Sequence, residues 1–217
     1  MSEGIYVVNS QNVTILDNRY QNITGPFERV GLNRANFVQL NNVTGALIDH
    51  NKGRCGDTED IVSVYSSSNV TVEDNHFEGV SVTTAGCLRW RSGSGSGIAL
   101  GDSGNSANNI ARRNTLLNVG QVGVFIAGGK NHKIEDNTVI GQQIPGSNVG
   151  AYVWLQGGGP CGGHSVARNV IRWTNAGGTA NPFWNAGNCG TVSGLSPQTN
   201  TFAGQPTTID PSWRVTL

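Results

Sequence analysis

Short apolar runs, each closed by an asparagine, recur along the chain. Val13-Thr14-Ile15-Leu16-Asp17-Asn18, Ala46-Leu47-Ile48-Asp49-His50-Asn51 and Val70-Thr71-Val72-Glu73-Asp74-Asn75 open the series. Ile110-Ala111-Arg112-Arg113-Asn114, His132-Lys133-Ile134-Glu135-Asp136-Asn137 and Ser165-Val166-Ala167-Arg168-Asn169 continue it. The closing asparagines at 18, 51, 75, 114, 137 and 169 are spaced by 33, 24, 39, 23 and 32 residues. A second apolar run precedes each one, from Gly4-Ile5-Tyr6-Val7-Val8 to Gly150-Ala151-Tyr152-Val153-Trp154, and a short third run follows, as in Arg19-Tyr20 and His76-Phe77. Within the runs, apolar and polar residues alternate with the period of two expected of a strand. Three short strands per unit predict stacked coils, each strand pairing with its equivalent one repeat away. The pattern therefore reads as an all-β parallel β-helix of about six coils over residues 1–172. From Trp173 onwards the repeat stops, and 173–217 are expected to be a capping tail of the same domain, with Phe183 and Trp184 covering the last coil.

At a bend between parallel strands, an asparagine amide can donate and accept along the stack, to an equivalent amide about 4.8 Å away. It also tolerates left-handed backbone. The position before it reads Asp17, His50, Asp74, Arg113, Asp136, Arg168, which in register alternates acid and base and avoids like-charge neighbours. Such surface pairs contribute about 0–1 kcal/mol each, so they set register more than stability. Asn-X-Thr triplets at Asn12, Asn22, Asn42 and Asn69 fall mostly on the turn-then-strand part of the repeat and read as turns before they read as glycosylation acceptors.

Composition narrows the class. The chain has 217 residues, 31 of them Gly, with Lys+Arg 14 against Asp+Glu 14. Zero net charge gives no electrostatic case for a nucleic-acid partner. No apolar stretch approaches the roughly 20 residues needed to span a bilayer, so membrane insertion is not expected. Met1-Ser2-Glu3 leads straight into a strand with no signal peptide, so an export signal is expected to lie outside this chain, or the chain to be part of a longer one. Cysteines 55, 87, 161 and 189 each adjoin glycine, without a CxxC spacing. Cys55–Cys87 and Cys161–Cys189 disulfides are the favoured pairing, pointing to a secreted, surface or periplasmic location; buried free thiols are the alternative.

Departures from a regular coil are where chemistry is expected. The loop 52–60 gathers Asp57, Glu59 and Asp60, and the longest insertion, 78–96, carries Arg89-Trp90-Arg91. A Cys55–Cys87 bridge would pin the two together. Tyr65, Phe125, Tyr152 and Trp154 fall at outward positions beside them, where aromatic faces could carry sugar rings, and Lys130 adds a cation. No cofactor is required by this reading, although the acidic loop could hold Ca²⁺. Asp102 is a poor partner for Asp60 on strand geometry, lying about six residues further along, towards 20 Å away. His76 and His132 read as turn residues, and His164 lies in a tight turn without a matched nucleophile.

The asparagine-ended repeat over about residues 4–172 resembles right-handed parallel β-helix proteins, a group rich in pectate lyases, polygalacturonases, alginate epimerases and phage tailspikes. Gly56-Asp57-Thr58-Glu59-Asp60-Ile61-Val62 resembles the paired-acid stretch of polygalacturonases, with Glu59 and Asp60 at the acids. Ser96 stands where that family's histidine would be, and Gly123-Val124-Phe125-Ile126 where its Arg-Ile-Lys would be. The resemblance implies an exported protein that cleaves or modifies an acidic polysaccharide, as hydrolase or lyase, with Asp57, Glu59, Asp60, Arg89 and Arg91 catalytic. Tyr65, Trp90, Phe125, Lys130, Tyr152 and Trp154 would bind substrate. The alternatives are a non-catalytic glycan-binding, surface or tailspike-like β-helix, or a scaffold from a larger protein.

Overall fold

The computed structural model describes residues 4–23, 27–28, 32–33, 35–56, 58–79, 96–142 and 149–217. Three parallel sheets run the length of a coil stack. Sheet A collects Ile5–Val8, Asn36–Asn41, Asp60–Tyr65, Ser96–Leu100, Val122–Ile126, Val149–Val153 and Phe183–Asn185. Sheet B collects Gln11–Leu16, Thr44–Asp49, Ser68–Glu73, Ile110–Arg112, Lys133–Glu135 and Ser165–Ala167. Sheet C collects Arg19–Gln21, Lys52–Gly56, His76–Gly79, Thr115–Leu117, Thr138–Gln142, Val170–Thr174 and Thr201–Ala203. The chain visits A, B and C in turn, and each strand pairs only with those of the adjacent coils.

Register explains the alternation. Val38, Val62, Ile98, Val124 and Ala151 share one column of sheet A, with Leu40, Val64, Leu100, Ile126 and Val153 in another, and all point inward. Ile48, Val72, Ala111, Ile134 and Val166 do the same from sheet B. Each fully buried aliphatic side chain here contributes roughly 1.5–3 kcal/mol of apolar burial. Column volume is conserved by exchange between coils. Tyr20 reaches inward over Gly53, where a Cβ would lie 1.7 Å from its ring, and its ring packs on Phe37 and Phe77.

The asparagines form one continuous ladder. The side-chain Oδ1 of Asn51 accepts from the backbone N–H and Nδ2 of Asn18, at 3.0 and 2.9 Å, and the same double contact repeats through Asn75, Asn114, Asn137 and Asn169. A seventh member, Asn200, receives the pair from Asn169 at 3.0 Å. Stacking thus continues past residue 172. Phe183–Asn185 and Thr201–Ala203 add a seventh strand to sheets A and C, and Ser193 bridges to Ser165 of sheet B. The sequence hid this coil because its sheet-B segment lacks an apolar run.

Left-handed backbone falls one residue earlier than expected. Asp17, His50, Asp74, Arg113, Asp136 and Arg168 all have φ between 53° and 60°, while none of the ladder asparagines has positive φ. The turn is made by the charged residue, which frees the asparagine to face inward. A matching left-handed column, Asn12, Gly45, Asn69, Asn108, Asn131 and Gly163, opens the sheet-B strands. The charges pair backwards along the stack. Arg113 holds Asp74 and Glu73, Arg112 holds Glu73, and Arg168 holds Asp136 and Glu135, whereas His50 pairs with Asp49 of its own coil.

Past Ala203 the chain folds back along the outside of sheet C instead of closing the stack end. Gln205 donates to Asn118, the Trp213 carbonyl accepts from His76 Nε2 at 2.8 Å, and Arg214 pairs with the buried Glu78 of the third coil. Trp184, expected to be a cap, lies on the outer face of sheet A and is 52% exposed. Cys161 and Cys189 are disulfide-bonded. Cys55 is disulfide-bonded too, and its expected partner Cys87 lies outside the described residues.

Candidate functional site

The outer face of sheet A is where strand register, acids and aromatics meet. Asn36, Asp60, Ser96, Val122 and Val149 form one outward column at the strand entrances. Tyr6, Gln39, Ser63, Ala99, Phe125, Tyr152 and Trp184 form the next. Asp60 is held there by both neighbours: its N–H donates to Asn36 Oδ1 at 2.9 Å, and Ser96 offers its carboxyl a hydroxyl and a backbone N–H.

Burial dominates the chemistry of Asp60. Its carboxyl is pushed well above the ordinary aspartate range, first by desolvation, then by the negative charges of Asp102 and Glu59; the Ser96 hydrogen bonds oppose this and lose. Asp102 thus acts on Asp60 more strongly than its sequence neighbour Glu59 does, against the expectation from strand arithmetic. Both charged neighbours are half-buried and adjoin the sheet-A strands that carry Asp60 and Ser96. Burial thus favours the neutral form of Asp60, beside two half-buried acids.

The expected residues divide three ways. Glu59, Asp60 and Tyr65 belong to the same coil on this face, with Tyr65 exposed at the far end of the strand. Asp57, Arg89, Trp90 and Arg91 lie outside the described residues. Lys130 is not brought to the acids: it sits at the corner before sheet B, where Gly129–Lys130 pairs with Cys161–Gly162.

The aromatics are on the outer face, but not as an open platform. Phe125 is buried and packs on Trp154 at 4.9 Å. Tyr152 stacks on Trp154 at 4.1 Å and on Trp184 at 4.6 Å, within 18° and 5° of parallel. Trp154 of the same coil and Trp184 of the next stack on Tyr152, so the faces of Tyr152 are taken. Trp184, which sequence reasoning assigned to the cap, carries the most exposed ring of the set.

Histidines 132 and 164 lie at turns between strands, as expected, but their side chains face inward. Both are buried in the inward column begun by Asn109, stacked at 5.3 Å and 8°. Asn109 N–H donates to His132 Nδ1 at 3.1 Å, and His132 N–H donates to His164 Nδ1 at 3.2 Å. Each ring therefore carries its proton on Nε2. Burial lowers the pKa of His132 to about 3, with help from His164, and that of His164 to about 4.

Among the described residues, two groups of ligand-type side chains are close enough to share a metal ion, and neither is in the acidic loop proposed for Ca²⁺. In the Asp49, His50 and Asp74 group, Arg113 already occupies Asp74. In the other, Cys161 and Cys189 are bonded to each other and His164 Nε2 is protonated, so neither set suits a cation. An open groove of about 580 Å³ lies between sheet C and the returning tail, lined by Thr174, Gln205–Ile209 and Arg214. Asp60 is not among its walls.

A family model described as the right-handed β-helix region matches residues 1–171, and the chain belongs to that family. No curated protein matches the chain significantly. No described helix is long and apolar enough to cross a membrane.

Proposed function

We propose that the protein acts in an oxidising, extracytoplasmic setting on an acidic polysaccharide, hydrolysing its glycosidic bonds at the outer face of sheet A. The observation behind this is the buried, proton-retaining Asp60 beside Asp102 and Glu59. Two carboxyl groups whose environments push their pKa values apart are what an inverting hydrolysis requires. Asp60 gives its proton to the glycosidic oxygen as the bond to the anomeric carbon breaks. An ionised neighbour, Asp102 or Glu59, takes a proton from the water attacking that carbon. A polymer of uronates suits a face where the catalytic carboxyl must stay neutral, and Arg89 and Arg91 are the cations proposed to meet its carboxylates.

The test is a panel of polyuronates assayed for new reducing ends and for unsaturated ends. Reducing ends alone mean hydrolysis, and both together mean elimination and overturn the Asp60 acid role. Asp60→Asn is expected to abolish turnover, and wild-type activity to fall as pH rises through the Asp60 pKa. The same substitution is expected to raise Tm at pH 8 but not at pH 4. A carboxyl with a raised folded pKa stabilises fully below its unfolded value and loses that contribution as pH rises through the folded value.

A non-catalytic glycan-binding role is the second reading. It is favoured by Ser96 and Gly123-Val124-Phe125-Ile126 standing where the polygalacturonase-like histidine and Arg-Ile-Lys would be. Binding of a polyuronate without either product would select it.

A further inference from the structure

At the ends of the sheet-B strands, arginines of one coil pair with acids of the coil before, whereas a group of cations at one end of sheet C has no such partner among the described residues. On the outer face of sheet C, Arg19 lies in register over Lys52, a coil spacing of about 4.8 Å apart, and Arg54 lies two residues further along the same face. Like charges directly opposite each other destabilise a sheet. Among the described residues, no carboxylate pairs with any of the three. The acid that register would give Arg54 is Glu78 on the next coil. Both Glu78 oxygens are already used, Oε1 by the Arg214 guanidinium and Oε2 by the Val215 N–H at 3.2 Å. Arg54 Nε is consequently buried with no hydrogen-bond partner. The returning tail hydrogen-bonds to His76 and Glu78, and Arg19, Gln21 and Lys52 stay exposed.

We propose that this end of sheet C is a second binding site for an anionic polysaccharide, on a different sheet from the acids and serving to hold the polymer. Its choice of ligand rests on the proposed function. An Arg fork and a Lys on adjacent coils match carboxylates repeated along a chain, and each would accept a charge-assisted hydrogen bond. Exposed Gln21 and Asn22 can meet sugar hydroxyls beside them. Nucleic acid is disfavoured because Tyr20, the aromatic residue on this strand, points inward and offers no surface for base stacking.

The experiment is calorimetric titration of hexagalacturonate into the Asp60→Asn protein, so that the ligand is not consumed, with and without Arg19→Gln, Lys52→Gln and Arg54→Gln. The triple variant is expected to bind about tenfold or more weakly, to lose most of its salt dependence and to melt no lower than its parent. A neutral hexasaccharide should show no difference between them. Unchanged hexagalacturonate affinity in the triple variant overturns the proposal, as does a fall in Tm without loss of affinity. Tighter binding of an oligodeoxynucleotide of equal charge at the same residues also overturns it. Retained turnover in Asp60→Asn would sink the hydrolytic assignment alone, because the difference between the triple variant and its parent reads binding at sheet C.

Discussion

Single side chains in this molecule act mainly on the coil beside their own. Asn114 Oδ1 accepts two N–H groups of Asn75, and its Nδ2 reaches Val72, Arg112 and Asn137. Asn114→Ala strands two buried donors, and a loss on the order of 2–4 kcal/mol is expected from chemical denaturation. The stacked histidines make acid sensitivity predictable. Both are neutral when folded, with pKa values of about 3 and 4, against 6.5 when unfolded. Below 6.5 the unfolded chain binds more protons at these two sites, so their contribution to stability should fall as pH drops from 6.5 towards 3 and be constant above 7. His132→Asn, copying Asn109 in the same column, should remove part of that slope in pH-dependent melting curves. The asparagine ladder could be read from sequence because its residue recurs at every coil. The histidine column could not, since Val13, Ala46 and Val70 hold its place in the first coils.

Strands and loops show why the fold was more legible than the site. Apolar alternation repeated over six units specifies sheets A, B and C redundantly, so losing the signal in the seventh coil cost one coil and not the architecture. The acids had no such redundancy. Asp60 was found from a local motif, whereas the influence of Asp102 depends on a turn after Leu100 that strand arithmetic could not supply. Trp184 was assigned to a cap because the irregular sequence around it concealed a strand. The tail was equally opaque: its one ion pair among the described residues joins the buried carboxylate of Glu78 to Arg214, from far along the chain. Arg214→Ala leaves that charge uncompensated and is expected to cost roughly 1–3 kcal/mol, less than a fully buried pair because the guanidinium is partly exposed. Glu78→Gln in the Arg214→Ala background should recover a share of it, as a double-mutant cycle in urea would show.

At the scale of the molecule, the right-handed β-helix stacks its coils into one column, with three sheets facing outward. The proposed sites occupy different sheets and different coils: Arg19 and Lys52 lie in the first two coils, and Asp60 opens the third. Coil-to-coil bonding also has a mechanical consequence. Pulled by its two ends in an optical trap, the protein should not rupture all at once but unreel turn by turn, giving a sawtooth of steps. The Cys161–Cys189 link shields the 28-residue span it closes from the load, so replacing both cysteines with serine should lengthen the fully extended trace by on the order of 90–100 Å.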